Sequence, residues 1–155
     1  MNDQVKKAPP KSARRRSREF ALQGLYQWRV GGNDEAAIEA HLQDQDEFGK
    51  ADRDFCLRLI RGVLGQREVL TAQVASHIDR DFSELSPIEA CILLIGAFEL
   101  VHFPETPYRV IINEAIELAK AFGGTDGHRY VNGVLDKLAA DIRPAEVEAK
   151  RQQSR

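Results

Sequence analysis

Ser86-Pro87-Ile88-Glu89-Ala90-Cys91-Ile92-Leu93-Leu94-Ile95-Gly96-Ala97 decides the fold class of this chain. Ser86 stands at an N-cap position, Pro87 at the first helical position and Glu89 three residues after the cap. That spacing is a capping box, in which serine and glutamate satisfy orphan amides reciprocally and proline fits where no amide donor is needed. Ala90 to Ala97 are apolar on every side of the helix that follows. A helix with no polar face must be enclosed by other helices, so this one reads as the centre of a bundle. His102 and Pro104 end it. The apolar run Ile88–Val101 holds two glutamates and is shorter than the roughly 20 residues a bilayer span needs.

Helical periodicity extends outward from this centre in both directions. Upstream, Leu70, Val74 and Ile78 mark a helix over Glu68–Ile78, and Phe55, Leu59 and Val63 mark one over Ala51–Leu64, with Gly65 between them. A short helix covers Asp34–Asp44. A longer one runs from about Ser12 to Val30 and stops at Gly31-Gly32-Asn33. Downstream, Thr106-Pro107 repeats the cap-and-proline start for a helix carrying Ile111, Ala115, Leu118 and Phe122, which Gly123-Gly124 stops. A last helix, Asp126 to Ile142, presents Val131, Val134, Leu135 and Leu138, with Asp126 as its N-cap, and Arg143-Pro144 ends it. No stretch alternates with period two for long enough to propose a strand. The expected class is all-α, with about seven helices in two packed helical halves. Residues 1–11 read as a disordered basic arm, 12–143 as a single domain and 144–155 as a polar tail.

Charge is distributed unevenly. Residues 1–18 hold seven basic side chains against Asp3, whereas the remaining 137 residues hold 15 basic and 23 acidic ones. A basic head on an acidic body suits a polyanion, RNA or DNA first. Cys56 and Cys91 are far apart, there is no CxxC, and the four histidines lack ligand spacing. No metal site, disulfide framework or cofactor is expected, and the cysteine usage fits a reducing cytoplasm. The head lacks the apolar stretch of a secretory signal. Motifs for a nucleophile–base pair or a phosphate-cradling glycine loop are missing, so the expected protein is not an enzyme.

On a helical wheel at about 100° per residue, Ala13, Ser17, Phe20, Ala21, Gly24, Leu25 and Trp28 gather on one packed face of the first helix. Arg14, Arg15, Arg18 and Arg29 form a separate stripe with Tyr26 at its border, while Arg16 points elsewhere. Arginines beside a ring offer phosphate contacts and a stacking surface together, the combination that holds single-stranded RNA. The alternative is a solvated basic face with Tyr26 tucked against the core. Gly24 occupies a position where alanine would favour the helix by about 1 kcal/mol, which close approach by a neighbouring helix would explain. Asn113, Glu114 and Glu117 fall on the exposed side of their helix, Glu117 pairing with Lys120.

Three blocks also carry a family resemblance. Arg14-Arg15-Arg16-Ser17-Arg18-Glu19-Phe20-Ala21-Leu22-Gln23-Gly24-Leu25-Tyr26 resembles the amino-terminal helix of the NusB family of bacterial transcription antitermination factors. Val110-Ile111-Ile112-Asn113-Glu114-Ala115-Ile116-Glu117-Leu118-Ala119-Lys120, followed by Tyr130-Val131-Asn132-Gly133-Val134-Leu135-Asp136-Lys137, is similar to that family's carboxy-terminal pattern. The resemblance covers about residues 12–143. It implies an all-helical protein that binds boxA-type RNA in nascent rRNA together with NusE, a small-subunit ribosomal protein. Other Nus factors and RNA polymerase complete the implied assembly. The residues it places against RNA are Arg14, Arg15, Arg16, Arg18, Tyr26, Phe122, Asp126, Arg129 and Tyr130. Phe122 and Tyr130 also continue apolar helical patterns, so core packing stays open for both. Two other readings remain: an all-helical interaction module whose basic helix docks on an acidic protein, and an accessory domain of an rRNA methyltransferase system. Monomer and homodimer, and the residues that would meet NusE, are left open.

Overall fold

The computed structural model describes residues 11–124 and 126–154, and the proposed arm over residues 1–11 lies outside them except for Lys11. Among the described residues there are eight α-helices and no strand: α1 (Ala13–Gly31), α2 (Glu35–Gln43), α3 (Arg53–Gly65), α4 (Arg67–Ala75), α5 (Pro87–His102), α6 (Tyr108–Phe122), α7 (Gly127–Ile142) and α8 (Pro144–Gln153). Short 3-10 turns over Asp46–Lys50 and Phe82–Glu84 bridge α2 to α3 and α4 to α5.

The capping box forms as its spacing requires, with Ser86 Oγ accepting from the Glu89 amide at 3.1 Å. From Ala90 to Leu100 every residue of α5 is buried. The reason is its position: α5 packs against α1, α3, α4, α6 and α7. It therefore forms the seam between an amino-terminal group of helices and a carboxy-terminal one, within one continuous apolar core. Gly24 shows the expected close approach, since a Cβ there would lie 2.7 Å from Ile38 Cγ2 of α2.

Three local expectations need correction. The polar tail over 144–155, to which no element was assigned, forms the helix α8. Pro144 sits in its first turn, and Arg143, 9% exposed, anchors it by donating to the carbonyls of Leu100, Thr106 and Phe103 and to Glu146. Thr106 does not cap α6. Pro107 takes the cap position without a side-chain bond, and Glu146 of α8 accepts from the Tyr108 amide at 2.8 Å instead. Asp126 occupies the cap position of α7, but its carboxylate makes no capping bond. Its backbone carbonyl accepts from the Arg129 amide at 3.2 Å.

Candidate nucleic-acid interface

The amino-terminal end of α1 is fastened to the start of α3. Ser12 Oγ caps α1 by accepting from the Arg15 amide at 3.0 Å. Ser17, fully buried, donates its hydroxyl toward the Asp52 carbonyl at 2.6 Å, and the Asp52 amide donates to the Ala13 carbonyl at 3.2 Å. This fixes the rotation of α1 about its axis, and hence where each arginine goes.

Arg14 lies at the surface with its guanidinium 4.3 Å from the centre of the Phe55 ring and 3.7 Å from Asp52. Arg15 is partly exposed and grips Glu114 of α6 with two nitrogens, at 2.7 and 3.2 Å. That hydrogen-bonded carboxylate raises the Arg15 pKa above its ordinary value, so the side chain stays charged. Arg16 reaches Glu47 at 3.4 Å. Arg29 lies half-buried with its guanidinium 4.8 Å from the Phe82 ring centre.

Arg18 departs from the wheel. It is 4% exposed, and its guanidinium makes a two-pronged bond to the buried Glu99 of α5 at 2.9 and 2.7 Å, with a third contact to Glu114 at 3.3 Å. The wheel assigned α1 one packed face, but α3 and α5 both pack against it, with α6 touching as well. The flank holding Arg18 and Leu22 is thereby buried. The same geometry corrects Glu114, whose side chain is 13% exposed rather than facing solvent. Arg18 belongs to the core of this protein and is not part of its exposed basic surface.

On the adjacent side of α1, an open groove of about 640 Å³ brings together residues far apart in the sequence. Phe20, Leu22 and Tyr26 of α1 line it together with Ile88 of α5 and Phe122 at the end of α6. Tyr26 is 39% and Phe122 50% exposed, so both rings are accessible and Phe122 belongs to the surface. Lys11 and Arg16 border the groove, each beside a carboxylate, Glu19 and Glu47.

Tyr130 resolves the other way. It packs half-buried against the core, with Arg80 4.9 Å from its ring centre. Burial raises its phenol pKa against the opposing pull of Arg80, and its hydroxyl is buried without a hydrogen-bond partner. Arg129 lies exposed in a second trough, with Tyr130, His77 and Lys137, and Asp126 is exposed at the α6–α7 turn. The candidates thus divide into a row on α1, a groove shared by Tyr26 and Phe122, and an edge around Arg129.

Sequence reasoning missed the carboxylates that organise the row, Glu99, Glu114 and Glu47. Glu99 had a usable signal, because a carboxylate inside an apolar helix requires a buried cation. Glu47 had none, since its approach to Arg16 depends on how the turn after α2 folds back. Among the described residues no cluster of His, Cys, Asp and Glu is placed to hold a metal, and no helix is long and apolar enough to cross a membrane.

Fold and surface together define an all-helical binding protein with a basic, aromatic-lined face. The NusB family model matches residues 15–140. A transcription antitermination protein NusB from Dechloromonas aromatica is 68% identical over 146 residues, covering 94% of this chain and 90% of its own length. One from Ralstonia nicotianae is 57% identical, covering 94% of each chain. Among solved structures, T. maritima NusB superposes with a TM-score of 0.76 at 26% identity, over 92% of this chain and 99% of that one. A crystal structure of antitermination factors NusB and NusE in complex with dsRNA shares the fold, with a TM-score of 0.70 at 18% identity over 83% and 97% of the two chains. The chain belongs to the NusB family.

Proposed function

We propose that this protein is a transcription antitermination factor that binds boxA-type single-stranded RNA in nascent rRNA together with NusE. It acts with other Nus factors on RNA polymerase elongation complexes, in the cytoplasm. The observation that carries the reading is the groove in which Tyr26 and Phe122 converge beside Lys11 and Arg16. Unpaired bases expose flat faces that such rings can stack against, while cations hold the adjoining phosphates. The relatives named as antitermination proteins, and the structural neighbour that combines NusB with NusE and dsRNA, support the same direction.

In this reading Arg14, Arg15 and Arg16 meet phosphates, and Tyr26 and Phe122 stack on bases. Asp126 and Arg129 border the strand at the α6–α7 turn. Tyr130 supports that edge from below, and Arg18 holds α1 in place. The test is a titration of boxA-type RNA, a scrambled strand of equal length and a boxA duplex, with and without NusE. Tighter binding of single-stranded boxA, strengthened by NusE, is expected. Equal affinity for all three, unaffected by NusE, overturns the proposal. Tyr26→Ala and Phe122→Ala should each weaken binding by about 1–3 kcal/mol with little change in salt dependence.

A further inference from the structure

The polar groups of the Tyr26–Phe122 groove fall into two kinds. Its charges are already committed: Lys11 binds Glu19 at 2.8 Å and Arg16 binds Glu47 at 3.4 Å, all four lining the groove. The four charges lining the groove therefore sum to zero, and Lys50 shares the Glu47 carboxylate at 3.2 Å. The groove's apolar lining comes from Phe20, Leu22, Tyr26, Ile88 and Phe122. Between them stand the primary amides of Gln23 and Gln27, one turn apart on α1, and neither makes a side-chain hydrogen bond among the described residues. An amide with a free donor and a free acceptor suits an uncharged flat ring whose edge carries both.

We infer that Gln23 and Gln27 read the edge of an RNA base seated in this groove, so that sequence preference resides in these two amides and affinity in the rings and arginines. The inference rests on the RNA-binding reading above. The occupant is a neutral nucleobase, with its phosphates at the rim on Arg14, Arg15 and Arg16. A glutamine amide can pair with an adenine edge through two hydrogen bonds, and the loss of one such pair removes discrimination without removing stacking.

The test uses the full-length protein with a boxA-type RNA, a set of single-base variants of it, and strands in which one base at a time is removed. Wild type is compared with Gln23→Leu and Gln27→Met, the first at an exposed position that tolerates substitution without unfolding. At one position of the strand, preference for the native base should fall by about tenfold. Preferences at other positions and the salt dependence should stay unchanged. When that base is removed, wild type and variants should bind equally, the mark of a lost pairwise contact. If the variants keep every base preference of wild type, or lose affinity equally for all strands, the amides do not read a base. If wild type itself shows no base preference, the RNA-binding reading falls, and this inference with it.

Discussion

Replacing Arg18 with methionine separates a structural arginine from an RNA contact. The guanidinium supplies both prongs of the bond to Glu99, which is 1% exposed, and a further contact to Glu114. Methionine fills similar volume but leaves the Glu99 carboxylate buried and unpaired. Breaking a buried ion pair from one side costs about 3–5 kcal/mol, a large share of the roughly 5–15 kcal/mol that holds a domain folded. For a chain of this size each kcal/mol moves Tm by about 2–4 °C, so a fall of roughly 6–20 °C is expected. Helical circular dichroism followed during heating measures it. The double variant Arg18→Met/Glu99→Met removes both charges and should recover most of the loss, because a packed apolar pair needs no desolvation. RNA affinity of the single variant, measured well below its Tm, should stay close to wild type. A Tm within about 3 °C of wild type, combined with a large loss of RNA affinity, would refute the reasoning.

Other consequences follow from particular contacts. Glu114→Gln releases Arg15 from its two-pronged carboxylate bond, so RNA should bind more tightly. Its salt dependence should steepen by about 0.7 in log–log slope for one added phosphate contact; unchanged binding would mean that Arg15 does not exchange Glu114 for phosphate. Gly62→Ala would place a Cβ 2.0 Å from the Phe98 ring where α3 crosses α5, costing about 1–3 kcal/mol in denaturant unfolding. Gly133→Ala, with nothing within 4 Å, should instead leave stability unchanged or higher. Burial pushes the thiols of Cys56 and Cys91 up to about 12. Their protonated form is thus favoured in the fold, and their contribution is fully present below the ordinary thiol pKa and lost as pH rises toward 12. Stability measured across that interval should fall, and thiol reagents at pH 8 should label the protein only as fast as it unfolds.

How much was legible varied with the range of the interaction. Ser86, read as a cap, does cap its helix, and Ser12 and Asp34, read only as helix starts, cap theirs too, because a cap bond spans three residues. The caps that failed, Thr106 and Asp126, stand where a tertiary partner or a backbone carbonyl serves instead. Candidate residues followed the same division. Arg14 and Arg15 were placed on an exposed stripe of α1, but Arg18, four residues after Arg14, was misplaced by a wheel that assumed one buried face.

The sequence by itself determined seven of the eight helices, the burial of α5, the clustering of positive charge at the start of α1 and the resemblance to one family. All of these rest on spacing within a few turns of chain or on the residues read directly. Tertiary structure alone decided that Arg18 is a core residue, that Glu114 holds Arg15, and that Tyr26 and Phe122, 96 positions apart, share one groove. Those outcomes depend on which helices flank α1 and on where the end of α6 meets it. Such facts arise from packing between elements, and the periodicity of any single element carries no record of them.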